Sequence, residues 1–186
     1  MLKVIHKSLK IAKYITLLFL ISFSYKTLGD NNSLESDEAF VIIGIRGHLD
    51  SIHFETLDEE ERFSVSKGRS PMLKLKRVKP GNYYVSSYRT LFANIDPVFF
   101  SKPSGENKFF KIEASSVNYL GEWFMEVDSN EFENSGDIDI RYSPKSISDY
   151  AEKNGYLKSL PLKVSTGNGK SQEFNWQFDQ KGKSQN

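Results

Sequence analysis

From Ala39 onward the chain is written with a period of two. Ile138, Ile140 and Tyr142 stand on one side of an extended segment, and Asp137, Asp139 and Arg141 on the other. That is the pattern of a strand with one buried and one wetted face. Ile52 and Phe54, Phe63 and Val65, Leu73 and Leu75, and Phe174, Trp176 and Phe178 repeat it. A helix cannot bury such sets, because its faces recur every 3.6 residues. Ala39 to Arg46 is instead a nearly unbroken apolar, β-branched run, which predicts a strand buried on both faces. Gly47 ends it.

Turn chemistry falls between these runs. Pro80-Gly81 separates Met72–Val78 from Asn82–Tyr88, and residues 72–88 read as a hairpin. Phe109–Ile112 and Val117–Val127, on either side of Glu113–Ser116, read as a second pair of strands. One helix is predicted, with Ser146 as its cap, Ile147, Tyr150 and Ala151 on one face, and Gly155 as its stop. The chain is therefore expected to be mainly β: a single antiparallel β-sandwich of immunoglobulin or transthyretin size over residues 39–178, with one short helix near its C-terminal part.

The first 29 residues are written differently. Five lysines and no acid surround an apolar run from Tyr14 to Tyr25. A charged stretch followed by a short apolar one is the order of a secretory signal peptide, here a short helix of its own. The run is shorter than the ~20 residues that a membrane-spanning helix needs. Thr27 and Gly29 are small residues two apart, so cleavage is expected between Gly29 and Asp30. The localisation expected is export, to the periplasm or the extracellular space, with no transmembrane anchor left after signal removal. Residues 30–38 read as a flexible acidic lead-in and 179–186 as a disordered tail.

Charge then narrows the function. The whole chain carries 25 basic and 24 acidic residues, for a net charge of +1. Without the five leader lysines the balance is 20 to 24, or −4, which leaves no basic stripe for nucleic acid. There is no cysteine, and hence no disulfide, thiolate metal site, cysteine nucleophile or lipid-bearing cysteine.

The stretches Val78-Lys-Pro-Gly-Asn-Tyr-Tyr-Val85 and Phe110-Lys-Ile-Glu-Ala-Ser-Ser-Val-Asn-Tyr-Leu-Gly-Glu-Trp123 resemble a family of exported bacterial domains of unknown function. In that family a "PGxYxV" strand precedes "F.I.AG..NYLG" on a prealbumin-like, or carboxypeptidase-regulatory-like, β-sandwich. The resemblance implies that Pro80-Gly81 closes a hairpin and that Asn118 to Gly121 opens a core strand. Ser115-Ser116 departs from the pattern, which usually carries Gly there. The resemblance brings no catalytic residues with it.

Candidate chemistry is sparse. His48, Asp50, His53 and Glu55 supply nitrogen and oxygen donors to a metal only if a turn at Leu49–Ser51 makes them converge. Asp128, Asn130 and Asp137 fail the EF-hand spacing, because Phe132 and Glu133 stand at its fifth and sixth positions. No serine sits in a Gly-x-Ser-x-Gly elbow. The apolar insertion 91–103, with Phe92, Phe99 and Phe100, either closes the sandwich or offers a patch to a partner. Trp123 and the tyrosines pose the same choice between core and sugar platform. The expected function is a non-enzymatic envelope-associated binding or accessory module without cofactor. Its expected contact residues are Phe92, Phe99, Phe100 and Trp123, and its partner an envelope protein or glycan. The alternatives are a metal-binding protein or metal-dependent hydrolase at His48–Glu55, and a carbohydrate-binding module.

Overall fold

The computed structural model describes residues 33–68, 73–91, 96–104, 109–126 and 138–176. The leader with Gly29 and Asp30, Phe92, the acidic loop 128–137, Phe178 and the tail 179–186 lie outside the described residues. The chain divides into Met1–Ser33 and Leu34–Asn186, and the second unit carries the strands.

In chain order these are β1 (Ala39–Gly47), β2 (Leu49–Thr56), β3 (Arg62–Ser66), β4 (Leu73–Val78), β5 (Gly81–Thr90) and β6 (Val98–Phe99). Then follow β7 (Phe110–Ile112), β8 (Val117–Met125), β9 (Ile138–Arg141), helix α1 (Pro144–Lys153), a 3₁₀ turn (Gly155–Ser159), β10 (Leu162–Ser165) and β11 (Ser171–Phe174). A first sheet runs β11-β10-β8-β1-β4, with β9 also on β8; a second runs β3-β2-β5-β6, with β7 also on β5. The sandwich is as the alternation predicts. The first sheet is mixed rather than antiparallel, because β8 runs parallel to both β1 and β10.

The molecule has three layers, which explains β1. Val41, Ile43 and Ile45 face the second sheet and join Phe54, Tyr83, Phe110 and Trp123 in the interlayer core. Phe40 and Ile42 face the other way, into a second core with Ile147 of α1 and Leu157 of the 3₁₀ turn. A strand covered on both faces has no polar side to display.

Both expected strand pairs are corrected. β4 pairs with β1 in the first sheet and β5 with β2 in the second, so Pro80 marks a corner between sheets and not a hairpin. The Tyr83 hydroxyl donates to the Lys79 carbonyl at 2.9 Å across that corner. Likewise β7 lies on β5, whereas β8 lies between β1 and β10. Residues 113–116 carry the chain from one layer to the other, and Ser115 takes φ +51°, the left-handed conformation that Gly adopts without strain.

Each residue of Asn118-Tyr-Leu-Gly121 has a structural task. Asn118, fully buried, ties β8 to this corner: its amide donates to the carbonyls of Glu113 and Phe40, and its oxygen accepts from the Glu113 N–H at 3.0 Å. The Tyr119 hydroxyl accepts from the Ser143 N–H at the start of α1. Leu120 fills the interlayer core. Gly121 has φ +85°, and a Cβ there would lie 2.7 Å from Ile140 Cγ2, so no other residue lets β9 approach.

The helix is capped by Ser143 rather than Ser146: the Ser143 Oγ accepts from the Ser146 N–H, and Pro144 takes the first helical position. Asn154 ends it, and Gly155 begins the 3₁₀ turn instead of a stop. The lead-in is tied down from Leu34, which packs on the second core. Asp37 pairs with Lys79 at 2.5 Å and Glu38 with Arg77 at 3.4 Å.

Candidate functional site

Gly47 turns β1 into β2 at φ +65°, where a Cβ would collide with the Met125 carbonyl. The His48 N–H donates to that carbonyl at 2.9 Å, and the Asp50 carbonyl accepts from Lys67 N at 2.7 Å. The pairing of β2 with β5 shifts register between Leu49 and Ser51 and again between His53 and Phe54. Beyond the first shift, Ile52 and Phe54 enter the core while His53 and Glu55 stay on the outer face of the second sheet. The chain reverses at Gly47–His48, so His48 stands in the turn while Asp50, His53 and Glu55 follow one another along β2, and the set does not converge. Among the described residues no three His, Asp or Glu side chains come together as a metal would require.

Trp123 is corrected as a contact residue. It is 3% exposed, donates from Nε1 to the Leu120 carbonyl at 2.9 Å, and meets Phe54 edge-to-face at 5.6 Å. Alternation along β8 turns it inward with Leu120 and Met125. Replacing it with Ala would cost about 3–5 kcal/mol of core packing and would report unfolding, not a ligand.

The insertion 91–103 gives a different picture. Val98 and Phe99 form β6, an edge strand flanked by Pro97 and Pro103, on Tyr88 and Ser87 of β5. Val98 packs on the interlayer core, whereas Phe99 is 76% exposed and Phe100, which lies against Tyr88, 45%; Leu91, just past the end of β5, is 50% exposed. The other outer edge invites comparison. Lys74 and Lys76 of β4 stand opposite Ile43 and Val41, charges turned toward the sandwich interior, which is one way an edge is kept from pairing with other chains. β6 carries phenylalanine instead.

β6 and β7 both lie on β5 but do not meet. β7 covers Gly81–Tyr83 and β6 covers Ser87–Tyr88, so Tyr84 and Val85 lie in a gap of that sheet edge. A groove of about 430 Å³ opens there between Tyr84, Phe100, Lys102, Pro103 and Phe110. Lys102 is held by Glu59 at 3.4 Å.

The outer face of the second sheet is a grid of polar side chains, set by the cross-strand register. Arg62, Glu55 and Tyr84 form one row and Ser64, His53 and Ser87 the next. The Tyr84 hydroxyl donates to Glu55 Oε2 at 3.3 Å; burial, with the Glu55 charge beside it, pushes that phenol above its ordinary value. A second groove, of about 280 Å³, runs between His53, Glu55, Arg62, Ser64, Ser86 and Ser87. Alternation flags His53 and Glu55 as outward, but their neighbours Arg62, Ser64 and Ser87 depend on strand partners that spacing alone does not specify.

On the other outer face Glu122, 4% exposed, pairs with Arg46. Arg141 stacks over Phe124 at 4.8 Å and pairs with Asp139, the wet side of β9 that alternation predicts. Among the described residues no helix is long and apolar enough to cross a membrane. Comparison with known proteins gives no match: neither a family model nor a curated protein nor a solved structure resembles this chain.

Proposed function

We propose that this protein is an exported, non-enzymatic binding module that engages an envelope protein along the β6 edge. The observation that carries this reading is the exposure of Phe99, at 76%, on an edge strand, with Phe100 at 45% next to it in the chain. Each large apolar group left in water forgoes about 1.5–3 kcal/mol of burial. Clustered on one edge, such groups are what a partner's surface covers. The same edge offers backbone for an added strand, a recurrent mode of recognition. Export rests on the lysine-then-apolar order of residues 1–29, and the prealbumin-like resemblance of residues 78–123 fits an exported domain.

A photo-reactive amino acid at position 99, in the full chain in its own envelope, tests the contact. One discrete adduct is expected, absent when the label sits at exposed position 152 and lost on Phe100→Ser. Equal labelling from both positions would refute the placement. N-terminal sequencing of the protein recovered outside the cytoplasm checks export, with Asp30 expected as the first residue.

A further inference from the structure

We propose that the outer face of the second sheet binds a neutral saccharide through the crossed rows Arg62–Glu55–Tyr84 and Ser64–His53–Ser87. This site does not rest on the proposed β6 contact, although Phe99 of β6 stands opposite Ser87 at the end of the second row.

Arg62 and Glu55 face each other across β3 and β2, yet among the described residues no ion pair closes between them. Among the described residues the guanidinium thus keeps its donors open, and Glu55 accepts from the Tyr84 hydroxyl alone. Both groups border the same groove. An anion placed there would satisfy Arg62 and be repelled by Glu55; a cation would meet the reverse. A pair of neighbouring hydroxyls satisfies both, one donating to the carboxylate and the other accepting from the guanidinium.

The rest of the groove extends the same chemistry. Ser64 and Ser87 each offer a hydroxyl that both donates and accepts, Ser86, whose hydroxyl donates to the His53 carbonyl at 3.4 Å, offers an acceptor, and His53 adds its exposed ring nitrogens. A ligand dense in hydroxyls and without charge is a sugar. The volume of about 280 Å³ falls just below the roughly 300–1,000 Å³ of ligand pockets and suits one ring, with the remaining sugars lying along the face. Tyr84 is a positioning residue, since its hydroxyl holds Glu55 from the buried side of the row.

The test is a titration of the isotope-labelled full chain with four neutral tetrasaccharides, built of glucose, mannose, galactose and N-acetylglucosamine. Each is taken to about 10 mM, which detects a Kd near 1 mM. Saturable amide shifts at residues 53, 55, 62, 64 and 87 are expected with at least one of them. Arg62→Ala should weaken that binding about tenfold, the loss of a charge-assisted hydrogen bond, with an unchanged melting curve because Arg62 is exposed. Phe100→Ser, which removes the proposed β6 contact and alters a ring lying against Tyr88, should leave it intact, which separates this site from that contact. No saturable shift with any of the four sugars would overturn the proposal. So would shifts confined to residues 99–104, full affinity in Arg62→Ala, or saturable binding of inorganic phosphate at this groove in place of sugar.

Discussion

Asn118→Ala should be among the most damaging single substitutions in the molecule. The side chain is fully buried, and its four polar contacts are short: Glu113 N–H at 3.0 Å, Glu113 carbonyl at 3.0 Å, Ser116 hydroxyl at 3.1 Å and Phe40 carbonyl at 3.3 Å. The two amide hydrogens are shared among three acceptors, so at about 1 kcal/mol for each full bond alanine forfeits about 3 kcal/mol. Ser116 partly compensates, because its hydroxyl still donates to the Glu113 carbonyl at 2.7 Å. The Glu113 N–H has no such second partner. A loss of about 2–3 kcal/mol is a large share of the 5–15 kcal/mol typical of a domain. Urea unfolding at neutral pH, followed by the fluorescence of the buried Trp123, measures it as a lower midpoint at unchanged slope. Asn118→Asp separates donation from shape. It keeps an oxygen for the Glu113 N–H but turns carboxylate toward two carbonyls, and should be at least as damaging as alanine. A cost below about 1.5 kcal/mol for alanine, or an aspartate variant as stable as wild type, would refute the account of this corner.

Two further outcomes follow from the same part of the fold. Ser115→Gly should raise stability by about 0.5–1 kcal/mol, because relief of the left-handed φ of +51° exceeds the entropy that glycine adds to the unfolded chain; a lower thermal midpoint would contradict this. Glu113 is held below its usual carboxylate range by the Ser171 hydroxyl first and the Lys163 ammonium next, so its contribution is present above pH 4.5 and is lost as pH falls through the lowered value. The urea-midpoint gap between wild type and Glu113→Gln should therefore be widest at neutral pH and close in acid, and a gap that persists in acid would assign the effect to packing.

Most strands were legible because alternation reports faces, and the faces here are strongly marked. What alternation does not report is neighbours. Leu73–Val78 and Asn82–Tyr88 each read correctly as strands, yet Pro80-Gly81 looks like a hairpin turn whether the chain folds back on itself or climbs to another sheet. The deciding facts are distant: Val78 lies opposite Ala39, and Tyr83 opposite Phe110. The same limit hid the polar grid, since His53 acquires Ser64 and Ser87 only through register. Trp123 was misread for another reason, that an aromatic residue on a strand is equally plausible on either face until Leu120 and Met125 set the phase. The helix cap, which the sequence reading places at Ser146, had a sufficient signal at Ser143. Ser143-Pro144 is a cap followed by proline at the first helical position, a stronger start signal than Ser146.

The central place of β1 has a consequence in time. The first strand of the sandwich to be synthesised needs β8 as its parallel neighbour, with Phe40 opposite Val117, some 77 residues later. At roughly 5–20 residues per second, the most apolar segment of the domain waits roughly 4–15 s for that partner. Its antiparallel neighbour β4 arrives sooner but covers only one edge and neither face. The second-sheet strands β2, β3 and β5 precede β8 and can cover the inner face, but until β8 and α1 emerge Ala39–Ile45 keeps one open edge and a bare outer face of Phe40 and Ile42, both aggregation-prone. Folding of this chain is therefore governed less by how well each strand forms than by what shields its first one from other chains.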